Sequence, residues 1–567
     1  MAGDKLSGSE LIAATLKHQG IDVIFGIVGI PVIEVAEACI RAGIRFIGFR
    51  NEQSAAYAAS AYGYLSGKPG VCLTVGGPGV IHALAGIVNS QVNCWPMVLL
   101  AGSSDTDQIG MGAFQELDQV EACKPYTKYA TRPASLGAIP FSIEKALRTA
   151  GYGRPGACYV DLPADFIQAS IPDDKYIESI QVPPVQPAPV YLADPAAVKT
   201  AAQTLQSAQN PLIVIGKGAA YARAENELKS LIETTNIPFL PTPMAKGLLS
   251  DSHPLCSSAA RSTALKQADV VLLVGARLNW ILHFGHSPRW SKQVKFIQID
   301  IEPEEMNNNG AITIPLVGHI PAVVRQLTQS SIPRLPDSHS FLRTLQSAVK
   351  TNIQKAAAKS KQGDETAVMN YHSAYDEIKK LLPAKDVVFV SEGANTMDIA
   401  RSAFDVHEPR CRLDAATFAT MGVGMGFAIA SQVYYPEKRI VSIVGDSAFG
   451  FSAMELETAA RAKLPLLILV INNNGIYHGL DHNDYESSRE NNNLPSTALS
   501  PDTRYDLIAE ACGGRGWLAK NRKELREAVK AALATRDTTC LINVVITPGG
   551  RTKLEFGWMT KKSEPKL

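Results

Sequence analysis

The 567-residue sequence lacks the features that mark nucleic-acid-binding, membrane-spanning or exported chains. It carries 55 Lys and Arg against 54 Asp and Glu, so no basic excess favours a nucleic-acid partner. No apolar run approaches the roughly 20 residues that a membrane-spanning helix needs. The stretch MAGDKLSGSELIAATLKHQG has neither the apolar core of a secretory signal nor the Arg-rich, acid-poor character of a transit peptide. We therefore expect a globular protein with no membrane span and no nucleic-acid partner.

Cysteine pairs at C-x-x-C spacing are also missing. The nine cysteines are scattered along the chain, and most lie in apolar runs such as GVCLTV and GACYVDL. An odd, unclustered set of this kind favours buried free thiols in a reducing compartment over a disulfide framework.

Short apolar runs alternate with helical patterns in three successive segments, which is typical of β-α units with parallel strands. The predicted fold class is therefore α/β, with three doubly wound parallel-sheet domains at residues 1–182, 196–335 and 366–567. A Pro-rich stretch, VPPVQPAPVYLADP, is expected to link the first two domains, and a Lys- and Ala-rich helix to about residue 364 to link the others. The first and third domains look similar in plan.

Polar residues follow two apolar runs in the last segment. RIVSIVG is followed directly by Asp446, and PLLILVI runs into three asparagines, 472–474. Because a right-handed crossover makes such strands parallel, we expect both ends at one edge of the sheet, close to a helix that starts near Ser452. A carboxylate and an amide oxygen there suit Mg²⁺, and a helix N-terminus suits an anion. Either motif alone is more simply an ordinary turn or loop.

Gly-Asp-Ser, followed after 24 residues by Asn-Asn, resembles the signature of thiamine-diphosphate-dependent enzymes, and the resemblance extends over essentially the whole chain. It implies that Asp446, Asn473 and the carbonyl of Gly475 hold Mg²⁺. Ser447 stands where the family usually has glycine. The resemblance also implies pyrimidine-binding, central Rossmann-like and diphosphate-binding domains in that order. Thiamine sites at subunit interfaces would make the protein a homodimer or homotetramer.

The resemblance assigns further residues to the cofactor. Glu52, in FRNEQSAAYAAS, would exchange a proton with the aminopyrimidine ring; on its own it is equally a helix first-turn glutamate. Met421, in FATMGVGMG, would support the bent cofactor beside the Ala419 carbonyl; on its own it is a core residue. Tyr477 and His478 are candidates for proton transfer. The other expected cofactor contacts are Tyr371, Ala394, Asn395, Ser447, Ala448 and Ile476.

Three branches of the family compete: acetohydroxyacid synthase, oxalyl-CoA decarboxylase and 2-hydroxyacyl-CoA lyase. GIVGIPV, with Val28 and Ile30 as an apolar wall, resembles the two CoA-dependent branches. Phe114 and Gln115 stand where the decarboxylases tend to carry Tyr-Glu, and they resemble the lyases. The expected reaction is cleavage of the C1–C2 bond of a 2-hydroxyacyl-CoA to formyl-CoA and an aldehyde one carbon shorter, as in fatty acid α-oxidation. Oxalyl-CoA decarboxylation is the alternative.

Cationic residues give candidate contacts for the phosphates of CoA. Arg261 is one, since guanidinium suits phosphate, although a surface arginine is an equal alternative. Arg551 and Lys553, in PGGRTKLEFGWMTKK, are others if the tail closes over the site rather than remaining a solvated basic segment. The final Pro-Lys-Leu approximates the Ser-Lys-Leu peroxisomal address, so a peroxisomal location and the peroxisomal import receptor as a partner are expected.

The middle segment carries PLIVIGKGAAYARAE, which suggests a dinucleotide fold. Tyr221 occupies the position of the third glycine in G-x-G-x-x-G, so a nicotinamide dehydrogenase is rejected. The related decarboxylases bind ADP in this domain, which leaves ADP open here. Arg154, Lys217, Arg277 and Asp300 are its candidate contacts. A non-enzymatic binding or assembly module would require a broken site, and Glu52, Asp446 and Asn473 are all present.

Overall fold

The computed structural model describes residues 6–360 and 364–549. It contains three sheets, and every strand pair in them is parallel, which confirms the predicted fold class. The central strands are buried along their length because helices cover both faces of each sheet.

The first sheet has the order β2-β1-β3-β4-β6-β5. Its strands β1–β6 are Val23–Gly26, Arg45–Gly48, Gly70–Thr74, Met97–Ser103, Tyr129–Thr131 and Ala157–Pro163. Helices α1–α8 are Gly8–His18, Ile33–Arg41, Glu52–Ser66, Pro78–Asn93, Gln119–Cys123, Ile139–Gly151, Ala164–Gln168 and Asp174–Ile180. Short 3-10 turns cover Thr106–Gln108, Lys124–Tyr126 and Leu136–Ala138.

The second sheet has the order β11-β10-β9-β7-β8. Its strands β7–β11 are Pro211–Ile215, Phe239–Pro241, Val270–Val274, Lys295–Asp300 and Ile312–Val317. Helices α9–α13 are Pro195–Gln206, Lys217–Tyr221, Glu225–Thr235, Arg261–Gln267 and Ile320–Thr328. Its 3-10 turns are Pro243–Ala245, Ser258–Ala260, Trp280–Gly285 and Pro303–Glu305.

The third sheet has the order β13-β12-β14-β15-β17-β16. Its strands β12–β17 are Val387–Glu392, Arg412–Asp414, Arg439–Gly445, Leu467–Asn472, Arg515–Ala519 and Cys540–Val545. Helices α14–α22 are Ser340–Ser360, Tyr371–Leu381, Ala394–Ala403, Gly424–Tyr434, Asp446–Gly450, Glu455–Arg461, His482–Glu490, Tyr505–Ala511 and Arg522–Ala534.

The first and third sheets share one topology. Numbered within its own sheet, each has the strand order 2-1-3-4-6-5, so the prediction of a common plan is confirmed. The Pro-rich linker has neither helix nor strand between residues 181 and 194, and α14 is the predicted helical connector. The helix expected from about Ser452 is α19, which starts at Glu455, and a separate short helix that was not predicted, α18, begins at Asp446.

Helices α3 and α17 join the first and third domains. A Cβ atom on Gly426 would lie 2.7 Å from the carbonyl oxygen of Ser54, so this glycine permits the close approach of the two helices. The rings of Tyr57 and Phe427 meet edge to face with their centroids 6.5 Å apart, a separation usual for aromatic pairs. The packing fixes the start of α3, and therefore Glu52, relative to the third domain.

The nine cysteines are free thiols, as predicted; seven are buried, and Cys94 and Cys512 are half-buried. Among the helices of residues 6–360 and 364–549, none has the length and apolar character to cross a membrane.

Candidate active site

Strands β14 and β15 are parallel neighbours, with Gly445 opposite Ile471, so the two polar loops meet at one sheet edge as predicted. Asp446 follows β14 and is only 3% exposed. One of its carboxylate oxygens, Oδ1, accepts a hydrogen bond from the Ser447 amide at 2.8 Å, and Oδ2 accepts one from the Gly475 amide at 3.1 Å. Burial raises the pKa of Asp446 to about 6 despite these donors, which indicates a carboxylate that would gain from a nearby cation.

The possible metal-ligand atoms around Asp446 are oxygens, which suit a magnesium ion better than a transition metal. Asn473 is buried, and its amide nitrogen donates to the Tyr477 carbonyl at 3.2 Å, which directs the side-chain oxygen elsewhere. The part of the chain that the structure describes holds no group of three or more His, Cys, Asp or Glu suited to a metal. One carboxylate with amide and carbonyl oxygens leaves positions for phosphate and water, as Mg²⁺ prefers.

The loop after β12 closes over the same edge. Gly393 has φ +94°, and a Cβ atom there would lie 3.3 Å from the Gly445 amide, so glycine keeps open the space between the loops. Helix α16 starts at Ala394, and its N-terminal amides favour an anion. The Asn395 side chain donates to the Tyr477 carbonyl at 3.2 Å. The predicted diphosphate contacts from the two loops therefore lie together.

Tyr371 opens helix α15 beside this edge. Burial raises the pKa of Tyr371 to about 12, and the negative charge of Asp446 adds to the shift. Its phenol therefore stays protonated and is suited to donate a hydrogen bond. Ile476 is half exposed at the same loop.

A buried carboxylate holds the loop that carries Met421. Glu392, at the end of β12, accepts hydrogen bonds from the amides of Gly422 and Gly424, the second at 2.6 Å. Gly422 has φ +85° and Ala419 has φ +55°, so the loop is tightly curved. The sequence did not single out Glu392, because its partners lie thirty residues away and only the fold brings them together.

The pH dependence of stability should report on Glu392. Burial raises its pKa from 4.5 to about 7, so the folded state binds a proton that the unfolded state releases. Its contribution to folding is therefore complete below about pH 4.5 and is lost as the pH rises through about 7, at up to about 1.4 kcal/mol per pH unit. We expect Glu392→Gln to flatten the fall of the thermal midpoint across this interval in cofactor-free protein.

The exposed Glu437 provides the matched control, and Glu437→Gln should keep the wild-type dependence on pH. Parallel curves for wild type and Glu392→Gln would contradict the assignment.

Glu52 opens helix α3, where the Asn51 side chain caps the helix by accepting from the Gln53 amide. The Glu52 side chain is only 14% exposed, and its Oε2 lies 3.1 Å from Nδ1 of His82. The buried Glu455 accepts from the Arg50 amide at 3.2 Å and so ties the start of α3 to the third domain. Neither His82 nor Glu455 was identified from the sequence. The Gly- and Pro-rich stretch GGPGVIH is typical of a turn, but nothing in the sequence links His82 to Glu52.

Ile30, Phe114 and Gln115 line a cavity of about 210 Å³ at the carboxyl edge of the first sheet. Ile30 and Phe114 are 66% and 70% exposed. Gln115 has φ +54°, and a Cβ atom on Gly77 would lie 2.5 Å from its carbonyl oxygen, so α4 begins against this loop. Val28 is exposed nearby in sequence but does not line the cavity.

Glu116, also missed from the sequence, closes the loop that presents Phe114. Its carboxylate accepts from the amides of Gly110, Gly112 and Ala113, the last two at 2.8 and 3.0 Å. These bonds lower the pKa of Glu116, so the carboxylate stays ionised and the loop keeps its shape.

One predicted CoA contact, Arg261, does not line this cavity. Arg261 lies in the central domain, where its guanidinium donates to the Ile281 carbonyl at 2.5 Å and lies 3.3 Å from Nε2 of His283. Burial lowers the pKa of Arg261. Arg551, Lys553 and the final Pro-Lys-Leu lie outside the described residues, so their roles stay predictions.

The central domain borders a second cavity, of about 690 Å³, lined among others by Arg154, Lys217, Arg277 and Asp300. The Lys217 ammonium donates to the Asn93 side chain at 2.7 Å. Burial lowers the pKa of Lys217 to about 7, and the charge of Arg277 adds to this shift. Burial raises the pKa of Asp300 to about 6. The four residues therefore line one cavity, and their role as nucleotide contacts stays a prediction.

Comparison with known proteins agrees with this geometry. Family models for the N-terminal TPP binding domain, the central domain and the C-terminal TPP binding domain of thiamine pyrophosphate enzymes match residues 6–122, 198–327 and 392–544. The chain is 48% identical to 2-hydroxyacyl-CoA lyase 1 of Homo sapiens, covering 99% of this chain and 98% of that protein.

Two further relatives are similar over nearly their full lengths. The 2-hydroxyacyl-CoA lyase of Saccharomyces cerevisiae is 43% identical, covering 98% of this chain and 99% of the relative. The oxalyl-CoA decarboxylase of Escherichia coli is 42% identical, covering 98% and 97%. Three domain matches in the expected order and full-length identity of this size leave one conclusion: the chain belongs to the thiamine pyrophosphate enzyme family.

Proposed function

We propose that the protein is a carbon–carbon lyase that cleaves the C1–C2 bond of a 2-hydroxyacyl-CoA, giving formyl-CoA and an aldehyde one carbon shorter. The observation that carries the proposal is the charge of the cavity next to Phe114 and Gln115. Asp105 is the one ionisable residue among the described residues that line it, and the rest of the wall is apolar or neutral. This largely neutral wall, with Phe114 and Gln115 where the decarboxylases tend to carry Tyr-Glu, suits the apolar chain and the neutral hydroxyl group of a 2-hydroxyacyl-CoA.

The family cofactor would supply an electron sink for breaking the C1–C2 bond. Glu52 would hold a proton at the aminopyrimidine, and Mg²⁺ would bind to Asp446, Asn473 and the Gly475 carbonyl. Met421 and the Ala419 carbonyl would set the bend of the cofactor. The remaining cofactor contacts would come from Tyr371, Ala394, Asn395, Ser447, Ala448 and Ile476, and Tyr477 is a candidate for proton transfer.

The co-product identifies the reaction. Purified protein with thiamine diphosphate and Mg²⁺ is offered 2-hydroxyoctadecanoyl-CoA and oxalyl-CoA in parallel. We expect fatty aldehyde from the first substrate; formyl-CoA alone is uninformative, because both reactions release it. Carbon dioxide from oxalyl-CoA with no aldehyde from the other substrate would contradict the proposal and favour the decarboxylase.

We infer that the active form is a homodimer or homotetramer. Apolar side chains are exposed at the carboxyl edges of both the first and third sheets, among them Ile30, Phe114, Phe451 and Ile476. Covering them with a second copy would complete a site between Glu52 of one subunit and Asp446 of another. Sedimentation at decreasing protein concentration should show the subunits separating, and activity assayed at the same concentrations should fall with it. An active monomer would refute the inference of an oligomeric active form.

Peroxisomal location would follow from the Pro-Lys-Leu tail through the import receptor. Deletion of these three residues tests it.

We also propose that the central cavity binds a nucleotide such as ADP. Arg154 and Arg277 suit phosphate, and Asp300, at the end of β10, suits ribose hydroxyls. Arg154 also pairs with Glu305 at 2.8 Å, so its guanidinium is already oriented at the cavity wall.

ADP affinity should depend on the protonation of Lys217. Because its pKa is lowered to about 7, Lys217 gains its positive charge as the pH falls through that value, and ADP should then bind more tightly. Calorimetry between about pH 8.5 and 6.5 should show affinity rising toward lower pH. Lys217→Met should weaken binding by more than about tenfold, or about 1.4 kcal/mol, and remove this dependence. The exposed Lys229 gives the control, Lys229→Met; equal ADP binding by both variants would refute the assignment.

A further inference from the structure

Cleavage of a 2-hydroxyacyl-CoA needs a base that decarboxylation of oxalyl-CoA does not need. As the C1–C2 bond breaks, the oxygen on C2 becomes the carbonyl oxygen of the aldehyde, so its proton must leave. In decarboxylation the departing carboxylate carries no such proton. Under the proposed lyase function, therefore, one side chain of this protein must take that proton.

His82 stands between the two parts of the site. It lies in the second turn of α4, the helix that begins against Gln115 at the substrate cavity. Its Nδ1 lies 3.1 Å from Oε2 of Glu52. The imidazole is 59% exposed, and among the described residues its Nε2 has no hydrogen-bond partner. The ring therefore contacts Glu52 on one side and is open on the other.

The contact with Glu52 fixes the tautomer. With Oε2 of Glu52 as the acceptor in this contact, Nδ1 of a neutral His82 carries the proton and donates it. The lone pair of Nε2 is then free to accept a proton. Glu52 keeps its second oxygen, Oε1, for the cofactor. One carboxylate can therefore serve the aminopyrimidine and orient a base at the same time.

We propose that Nε2 of His82 is the general base for the 2-hydroxyl group. The hydroxyl proton passes to Nε2, the O–H electron pair forms the carbonyl of the aldehyde, and the C1–C2 electron pair stays with the thioester carbon. The imidazolium then returns the proton to that carbon, which becomes the C–H of formyl-CoA. The hydroxyl proton thus ends on C1, and the overall reaction neither gains nor loses a proton.

The test separates His82 as a base from His82 as a support for Glu52. His82→Gln and His82→Ala are compared with wild type in two assays: cleavage of 2-hydroxyoctadecanoyl-CoA, and exchange of the thiamine C2 hydrogen for deuterium. Exchange requires Glu52 but no hydroxyl proton. We expect kcat for cleavage to fall about 10²- to 10⁴-fold in both variants, with exchange within about threefold of wild type. Condensation of formyl-CoA with aldehyde should fall by the same factor as cleavage.

Added imidazole should restore part of the cleavage activity of His82→Ala. The control His286→Gln, which replaces another exposed histidine, should match wild type and gain nothing from imidazole. A parallel fall of exchange and cleavage would overturn the proposal and make His82 a positioning residue for Glu52. Unchanged cleavage would also overturn it and would direct the search to His478, whose Nδ1 is buried with no hydrogen-bond partner among the described residues. If wild type exchanges C2 hydrogen but yields no aldehyde, the lyase function fails, and the role of His82 fails with it.

Discussion

Replacing Glu52 by glutamine is expected to lower kcat about 10²- to 10⁴-fold while thiamine diphosphate stays bound. Glutamine has nearly the shape of glutamate, and the cap of α3 by Asn51 does not involve the Glu52 side chain. The variant therefore keeps the local fold and loses the ability to exchange a proton. Cofactor binding is measured by the thiamine difference spectrum, and turnover by aldehyde release.

An exposed glutamate in the first turn of another helix gives the control. Glu34→Gln, in α2, should retain wild-type turnover. If Glu52→Gln lost the cofactor while the activity per bound cofactor stayed normal, the carboxyl group would be a binding contact and not a catalytic one.

Asp446→Ala is expected to weaken Mg²⁺-dependent binding of thiamine diphosphate by more than about tenfold, equivalent to at least about 1.4 kcal/mol. The substitution removes the one carboxylate of the proposed metal site. It also leaves the Ser447 and Gly475 amides without this acceptor, so part of the loss would come from the loop itself. Calorimetry of cofactor binding with and without Mg²⁺ separates the two effects.

A loss seen only when Mg²⁺ is present would mark a metal ligand, and an equal loss without Mg²⁺ would mark a loop contact. Asp484→Ala is the matched control, since Asp484 is an exposed aspartate in α20 of the same domain and should leave cofactor binding at the wild-type level. Unchanged affinity of Asp446→Ala in the presence of Mg²⁺ would refute the metal assignment.

The fold and the metal loops were predictable because their signals are local. Apolar runs followed by turn residues marked β14 and β15, and the crossover rule placed their ends side by side. The side-chain partners were not predictable in the same way. His82 lies in α4 and contacts Glu52 in α3, and Glu392 at the end of β12 contacts Gly422 in the loop before α17. Neither pair has a sequence spacing that implies contact. These contacts depend on which residues the fold brings together, and a single sequence does not show that.

The start of the helix after β14 shows a second limit. Turn residues in GDSAFGFSAM suggested a loop before a helix at Ser452, whereas Asp446 begins α18 directly. A side chain that accepts from its own neighbouring amide can open a helix without the usual cap. Only the three-dimensional structure distinguishes the two arrangements.

The first and third sheets share one strand order, and the proposed catalytic roles are divided between the two domains that contain them. Under the proposed function, the first domain would carry the side chains that exchange protons and face the substrate, and the third domain would carry the loops that hold the diphosphate and the metal. Because each set is anchored in its own sheet, substitutions around Phe114 can retune acyl preference without loosening cofactor retention. Substrate preference can therefore change through substitutions in the first domain while the third domain keeps the loops proposed to hold the cofactor.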